Sequence, residues 1–225
     1  TIFSSETCSF GILGAHFERE VNPGELLCLC PDKVESIQLV PAHKQTTCAM
    51  EYVYFSRPDS IVNTQTVHEV RTRCGEALAR QEDVQADMVI GVPDTATSAA
   101  VAFARISGMP YEIGLMKNRY IGSTFIRPTK QQRQEGMRVR LNAISSVLKG
   151  KRVILVDDSI VKGSTAKRLS VLLKEAGAKE VHYRISAPPV SPPCYFGPHL
   201  ADEKARIAPG PTVAGRHELG GSDSP

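Results

Sequence analysis

The sequence predicts an α/β fold in which helices flank a mainly parallel sheet, with a β-rich stretch before it. Two short apolar runs, residues 88–92 and 153–156, have the composition of strands that are buried on both faces of a sheet. Segments with helix-like patterns lie between and after these runs. Strands that alternate with helices along a chain pair in parallel, so the two runs are expected to end at the same edge of one sheet.

Residues 1–45 are predicted to be β-rich. The strand-like runs are residues 10–14, 24–29 and 34–40. This much β structure cannot close a hydrophobic core, so we expect the stretch to be the end of a longer domain. The character changes at residues 48–60, where apolar and polar residues alternate up to Arg57-Pro58-Asp59. From residue 67 to 80 the apolar period becomes helical.

The strand at residues 87–93 is followed by a hydroxyl-rich loop, Asp94-Thr95-Ala96-Thr97-Ser98, and by a helix over 99–107. Asp94 and Thr95 have two interpretations. They are good N-cap residues for that helix. Alternatively, they form a ligand loop aimed at the same sheet edge as the end of the 153–156 strand.

The remaining elements follow from similar signals. They are a strand over 111–116, helices over 138–148 and 165–176, and a strand over 180–186.

One basic segment lies in an otherwise slightly acidic chain. The formal net charge is +3, and residues 117–140 contain seven Lys/Arg and one Glu, which leaves about −3 for the rest. The loop over 117–128 is long for a connection, which favours a lid that closes over an anionic substrate. Its charges form no helical stripe, so we expect no nucleic acid partner.

The central motif is the strand 153–156, the pair Asp157-Asp158 and the loop 159–165. The loop offers backbone N–H groups, hydroxyls and Gly163 at a helix N-terminus, which suits a phosphate. The two carboxylates suit sugar hydroxyls, a divalent metal or both beside that phosphate. The nucleoside-triphosphate and dinucleotide glycine patterns do not occur here.

Apolar runs, cysteine spacing and the first residues of the chain further restrict the class of protein and its compartment. No apolar run reaches the length of about 18 residues that spans a membrane, so no membrane partner is expected. The six cysteines form neither a disulfide framework nor a zinc pattern, which indicates a reducing compartment, the cytoplasm or a plastid. The first residues contain neither an initiator Met nor a signal peptide, and we expect the chain to be the interior of a longer protein.

The strand, the Asp-Asp pair and the small-residue loop resemble the phosphoribosyl diphosphate (PRPP) motif of type I phosphoribosyltransferases. Over roughly residues 4–200 the chain is similar to one branch, the glutamine amidophosphoribosyltransferase family. The segments that carry this resemblance are 5–8, 20–25, 51–60, 92–95, 117–126 and 153–165. It implies a type I phosphoribosyltransferase fold over 46–200, a remnant of a glutaminase domain over 1–45, and a disordered tail over 201–225 that departs from the family.

The resemblance also implies a reaction. Ammonia displaces pyrophosphate from C1 of PRPP and gives 5-phosphoribosylamine, the first committed step of purine synthesis. Asp157 and Asp158 would engage the ribose hydroxyls and Mg²⁺, with Thr95 at a third magnesium position. The residues expected around the 5-phosphate are Ser159, Val161, Lys162, Gly163, Ser164 and Thr165. Asp94 would belong to the pyrophosphate loop, and Lys117, Arg119 and Tyr120 to the closing lid.

Several family features are incomplete in this chain. The glutaminase cysteine that releases ammonia is absent, so no catalytic nucleophile is assigned and glutamine-dependent activity is not expected. Cys48 and Cys194 match two ligand positions of a [4Fe–4S] cluster, but the other two do not occur, which argues against a cluster here. For the full-length parent the resemblance implies a homo-oligomer and feedback inhibition by purine nucleotides.

Three alternatives stay open. The chain is a PRPP-binding regulatory module without catalysis, a phosphoribosyltransferase that uses a base as the acceptor, or a piece that does not fold. PRPP turnover with ammonia or with a base distinguishes the first two from an amidophosphoribosyltransferase. A cooperative unfolding transition that PRPP shifts excludes the third.

Overall fold

A computed structural model of the protein describes residues 1–41, 46–118, 141–160 and 164–188. The chain divides into two compact units, the first over Thr1–Val70 and the second from Arg71 onward. In chain order the helices and strands are α1 (Cys8–Ile12), β1 (Glu25–Leu29), β2 (Val34–Gln38), β3 (Ile61–Val62), β4 (Gln65–Thr66), α2 (Val67–Ala79), β5 (Met88–Gly91), α3 (Thr97–Ser107), β6 (Leu115–Lys117), β7 (Leu141–Ala143), α4 (Ser145–Leu148), β8 (Arg152–Asp157), α5 (Ser164–Glu175) and β9 (Glu180–Ile185).

The first unit contains two small antiparallel sheets. β1 and β2 form a hairpin in which Glu25 pairs with Gln38, and β3 pairs with β4. Both strands of the hairpin confirm predicted strands. The alternating stretch before β3 does not extend into a strand, because Glu51–Phe55 forms a π-helical turn.

The strand predicted over 10–14 is wrong. Cys8–Ile12 forms the short helix α1, and local backbone hydrogen bonds satisfy its amides, among them the N–H of Leu13 donating to the carbonyl of Phe10. Gly14 then adopts a φ of +62°, the left-handed conformation that commonly ends a helix. A strand so short needs a partner strand, whereas one helical turn closes its own hydrogen bonds.

Hydrogen bonds within the first unit connect its beginning to the Arg57-Pro58-Asp59-Ser60 turn. The Glu6 carboxylate accepts the backbone N–H of Arg57 and the hydroxyl of Ser60, both at 2.8 Å. Ser60 is fully buried, so its hydroxyl needs such a partner. The sequence separation of these contacts shows that the first unit is a tertiary structure and not a set of local turns.

The second unit is built on a parallel sheet of order β5-β8-β9. The central strand β8 is buried from Val153 to Asp157. Its alternate residues face two hydrophobic clusters: Leu155 packs in the cluster that contains Leu173 of α5, and Ile154 in the cluster that contains Phe103 of α3. Helices therefore cover both faces, and the predicted α/β fold with a mainly parallel sheet is confirmed.

Two helices of this unit approach each other so closely that one position requires glycine. A Cβ atom added to Gly75 of α2 would lie 2.1 Å from the carbonyl oxygen of Ala99 in α3. The two backbones are thus in direct contact, which only glycine permits at this crossing.

Two further expectations are corrected around β6. The helix predicted over 138–148 is mostly wrong where the structure describes it, because Leu141–Ala143 forms β7, antiparallel to β6, and α4 covers only Ser145–Leu148. The strand predicted over 111–116 is shorter: Tyr111 makes an isolated bridge to Val89, and β6 begins at Leu115. Residues 141–143 form a strand because the edge of β6 provides hydrogen-bond partners, and the sequence of these residues alone does not indicate such a partner.

Some expectations concern residues that lie outside the described ranges. These include most of the predicted lid, the tail over 201–225 and Cys194. The domain boundaries at residues 46 and 200 stay predictions. Within the described ranges, Cys8, Cys28, Cys30, Cys48 and Cys74 are free thiols. None of the helices in that part of the chain is long and apolar enough to cross a membrane.

Candidate functional site

The site lies at the carboxyl edge of the parallel sheet in the second unit. β5 ends at Gly91 and β8 ends at Asp157, and the two strands are neighbours in the same direction. The backbone N–H of Val92 still donates to the carbonyl of Val156 at 2.9 Å, so the chains separate only beyond this point. The residues that follow each strand therefore meet, as the sequence predicted.

Asp158 is the point at which the two loops touch. Its carboxylate accepts a hydrogen bond from the hydroxyl of Thr95, which follows β5. The hydroxyl of Ser159 donates to the other carboxylate oxygen at 2.6 Å. Only 6% of Asp158 is exposed, so these hydroxyls compensate for lost hydration of a buried charge.

Asp157 is held from two sides. Its Oδ1 accepts the backbone N–H of Asp158 at 2.9 Å, and its Oδ2 accepts the phenolic hydroxyl of Tyr183 at 2.5 Å. Burial, together with the nearby charge of Asp158, raises the pKa of Asp157 to about 7, although the Tyr183 hydrogen bond acts in the opposite direction. Burial and the same carboxylates raise the pKa of Tyr183 well above its ordinary value, which keeps the phenol protonated as a donor.

In the loop after β5, neither the Thr95 hydroxyl, which bonds to Asp158, nor the Asp94 carboxylate caps helix α3. The Asp94 carboxylate accepts a hydrogen bond from the ammonium group of Lys117 at 2.8 Å, and both side chains are largely exposed. The peptide bond between Pro93 and Asp94 is cis.

The interpretation of Asp94 and Thr95 as N-cap residues is therefore wrong. Ala96 occupies the N-cap position of α3, and its methyl group offers no acceptor. Asp94 contributes only a main-chain carbonyl, which accepts the N–H of Thr97 at 3.4 Å. The helix begins at Thr97, two residues before the predicted start at residue 99. The Thr95 hydroxyl bonds to Asp158 after β8, and the Asp94 carboxylate bonds to Lys117 of β6.

Two residues that the sequence reasoning missed support this site. Arg71 of α2 is 4% exposed and donates from Nη1 to the carbonyl of Thr95 at 3.4 Å. The sequence did indicate it, because Arg71 is a charged residue on the same helix face as the apolar residues Val67 and Cys74. Tyr183 gave no comparable signal, because its neighbour across the sheet depends on the register of β9 against β8.

The other predicted residues are only partly described. Thr165 is exposed in the first turn of α5, and Ser164 begins that helix. Val161, Lys162, Gly163, Arg119 and Tyr120 lie outside the described residues. The structure thus brings together Asp94, Thr95, Lys117, Asp157, Asp158 and Ser159.

The arrangement suits an anionic ligand that also carries hydroxyl groups. Adjacent carboxylates accept hydrogen bonds from a diol, and α5, whose first turn has free backbone N–H groups, begins at Ser164, a few residues after the acidic pair. In the described part of the chain, no three His, Cys, Asp or Glu residues are grouped closely enough to hold a metal by themselves.

The sequence profile of the phosphoribosyl transferase domain matches residues 66–195. Among curated proteins, the amidophosphoribosyltransferase of Bacillus subtilis (strain 168) is 45% identical over 220 residues, which cover 97% of this chain and 46% of that protein. The amidophosphoribosyltransferase of Synechocystis sp. is 46% identical over 213 residues, covering 95% of this chain and 43% of the relative. The chain therefore spans less than half the length of these relatives.

Solved structures agree with these matches. One is described as glutamine phosphoribosylpyrophosphate amidotransferase from B. subtilis complexed with ADP and GMP. It has a TM-score of 0.87 and 44% identity, and the match covers 98% of this chain and 48% of that one. Another, the allosteric regulatory enzyme of purine biosynthesis, also has a TM-score of 0.87 and 44% identity, with coverage of 98% and 47%.

Proposed function

Because this chain belongs to the phosphoribosyltransferase family, we propose that its site binds PRPP and that the whole protein transfers the phosphoribosyl group to ammonia. The C1–oxygen bond to pyrophosphate breaks, a C1–nitrogen bond forms, and the product is 5-phosphoribosylamine. The acceptor is inferred from the amidophosphoribosyltransferases of which this chain covers less than half. In the whole protein, the ammonia derives from glutamine, and the product, 5-phosphoribosylamine, enters purine synthesis.

The observation that carries the proposal is the contact between the two strand ends. The Thr95 hydroxyl donates to Asp158, so the loop after β5 and the acidic pair form one surface. A ligand with a diphosphate on one side and a diol on the other spans both parts. In this arrangement Asp157 and Asp158 accept the ribose hydroxyls, and the loop that begins at Asp94 faces the pyrophosphate.

The acidic pair also fits Mg²⁺ as a partner of the substrate. Mg²⁺ prefers oxygen ligands and is often held by one or two carboxylates together with substrate phosphates. The Asp158 carboxylate and the Thr95 hydroxyl are such donors, and they are adjacent. When bound, the ion neutralises the charge that develops on the pyrophosphate leaving group.

The protein's own contribution is positioning and water exclusion. Residues 159–165, which include the first turn of α5 from Ser164, are proposed to receive the 5-phosphate of the ribose. Lys117, which contacts Asp94 in this structure, belongs with Arg119 and Tyr120 to the segment that closes over the substrate. Excluding water protects an oxocarbenium-like transition state from hydrolysis.

Purine nucleotides are proposed as further ligands of the whole protein, because the B. subtilis relative was solved with ADP and GMP. A [4Fe–4S] cluster is not assigned to this chain. Such a cluster needs four thiolates, and only Cys48 and Cys194 match ligand positions of the family.

The test is PRPP binding followed by turnover. Calorimetry with Mg²⁺ is expected to show PRPP binding to the unchanged chain, and Asp157→Asn is expected to weaken it by at least about tenfold while the fold persists. The matched control is Asp83→Asn, which removes an exposed carboxylate from the loop before β5 and leaves the affinity unchanged.

Turnover measurements distinguish ammonia from a base as the acceptor. Pyrophosphate release from PRPP on addition of an ammonium salt, with none on addition of a purine or pyrimidine base, supports the amidotransferase. Release only with a base would assign the site to a base-accepting enzyme. Binding without release under either condition would identify a regulatory module, and the absence of PRPP binding by the folded chain would reject the proposal.

A further inference from the structure

Tyr183 lies below the acidic pair, in the hydrophobic core. It belongs to β9, where it stands opposite Leu155 of β8, two residues before the register position of Asp157. Only 6% of the residue is exposed, and its ring packs in the cluster that contains Leu155 and Leu173. Its hydroxyl nevertheless reaches the edge of the sheet.

That hydroxyl determines how the Asp157 carboxylate is oriented. It donates to Oδ2 at 2.5 Å, while the backbone N–H of Asp158 donates to Oδ1 at 2.9 Å. Two donors on different oxygens fix the rotation of a carboxylate about its Cβ–Cγ bond. The lone pairs that remain are then directed along defined lines, which a diol ligand requires.

We infer that Tyr183 is a positioning residue, which holds the Asp157 carboxylate in the orientation that accepts the ribose hydroxyls of PRPP. This inference rests on the proposed function. Tyr183 itself touches no ligand and acts through Asp157. Its ring anchors the hydroxyl in the core, so the orientation of the carboxylate is maintained before the ligand arrives.

The expected effect follows from the bond that is lost. In Tyr183→Phe the ring still fills its place in the core, but Oδ2 of Asp157 loses its donor in a buried position. The carboxylate then rotates toward other donors, and its contact with the ribose weakens. Hydrogen bonds to charged groups typically correspond to about a tenfold change in affinity or more.

The experiment compares two ligands in the presence of Mg²⁺. PRPP engages the Asp157 carboxylate through its ribose, whereas inorganic pyrophosphate engages the loop after β5 and, through Mg²⁺, Asp158, but not Asp157. We expect Tyr183→Phe to weaken PRPP binding about tenfold and to leave pyrophosphate binding unchanged. A merely structural role would weaken both ligands together, because a loosened sheet edge displaces both parts of the site.

The matched control is Tyr111→Phe. Tyr111 is half-buried against the opposite face of the sheet, in the cluster that contains Phe103, and its substitution is expected to change neither affinity. Tyr183→Met provides a second variant without the hydroxyl and is expected to show the same separation between ligands. Thermal unfolding of each variant verifies that it is folded.

The outcomes separate the two proposals. An unchanged PRPP affinity in Tyr183→Phe, or an equal loss for both ligands, overturns the positioning role while the proposed function stands. If the unchanged chain binds pyrophosphate but not PRPP, the proposed function fails and the positioning role fails with it.

Discussion

The hydroxyl of Thr95 donates to the carboxylate of Asp158, although the two residues are 63 positions apart in the sequence. Each follows the last residues of a parallel strand, β5 or β8, and the strands are direct neighbours. The contact therefore forms only when both strands are in the correct register. It is the point at which the pyrophosphate side and the ribose side of the proposed site become one surface.

Removing the Thr95 hydroxyl should weaken PRPP binding. Thr95→Val keeps the shape of the side chain but leaves the buried Asp158 carboxylate without one donor, and we expect a loss of about tenfold in affinity with Mg²⁺. Thr95→Ser retains the hydroxyl and serves as the control, with an affinity close to that of the unchanged chain. Calorimetric titration measures both. Equal affinities for Val and Ser at this position would show that the contact does not contribute to binding.

The stability of the chain should fall as pH rises through the pKa of Asp157. That pKa is about 7 in the folded protein, above the ordinary value near 4, so the folded state holds the proton more tightly than the unfolded state. The contribution to stability is complete below about pH 4 and is lost by about pH 7.

Asp157→Asn tests this directly, because it removes the titrating group. The variant should be more stable than the unchanged chain at about pH 8 and lose that advantage at about pH 4, measured by chemical denaturation without ligand. Asp83→Asn, which alters an exposed carboxylate, should not show this pattern. A stability difference for Asp157→Asn that does not vary with pH would contradict the raised pKa.

For Asp87, at the amino end of the sheet, we expect the contribution to stability to change with pH in the opposite direction. Its carboxylate accepts hydrogen bonds from the side chain and the backbone N–H of Arg152, at 2.9 and 2.8 Å, which lowers its pKa to about 2. The stabilising contribution is present above about pH 4 and disappears as pH falls toward 2. Asp87→Asn should therefore destabilise the protein at neutral pH, and the difference should shrink in acid denaturation experiments as the pH approaches 2.

Gly75→Ala should destabilise the second unit. The added Cβ would meet the carbonyl oxygen of Ala99 at 2.1 Å, so α2 and α3 must move apart, and overpacking of this kind costs about 3 kcal/mol. Gly11→Ala is the control, since a Cβ there meets nothing within 4 Å. Urea denaturation of both variants measures the difference. A Gly75→Ala chain as stable as the unchanged one would be inconsistent with contact between the two helices.

The elements that the sequence predicted correctly are those with strong local signals. β8 follows from a run of β-branched residues, and α3 ends as predicted at Gly108, which adopts a φ of +73°. The meeting of the two loops after β5 and β8 was predicted because parallel strands place their carboxyl ends at one edge, which is a consequence of topology and not of detailed packing. Asp94, Thr95, Asp157 and Asp158 are brought together for this reason.

What the sequence could not predict depends on register or on distant partners. The Tyr183–Asp157 contact requires the alignment of β9 with β8. β7 forms because β6 provides an edge, and its three residues carry no signal strong enough to outweigh a helical pattern. Arg71 was visible as a charge on an apolar helix face, but its partner, the Thr95 carbonyl, is a main-chain atom with no sequence signature.

The burial of β8 on both faces has a genetic consequence. Leu155 and Ile154 pack against opposite layers, and the same strand continues without a break into Asp157. A change of side-chain volume in either layer shifts the strand and carries the acidic pair with it. A screen for inactive variants of this protein should therefore recover substitutions in these core positions alongside those at the edge, even though the affected side chains never meet the substrate.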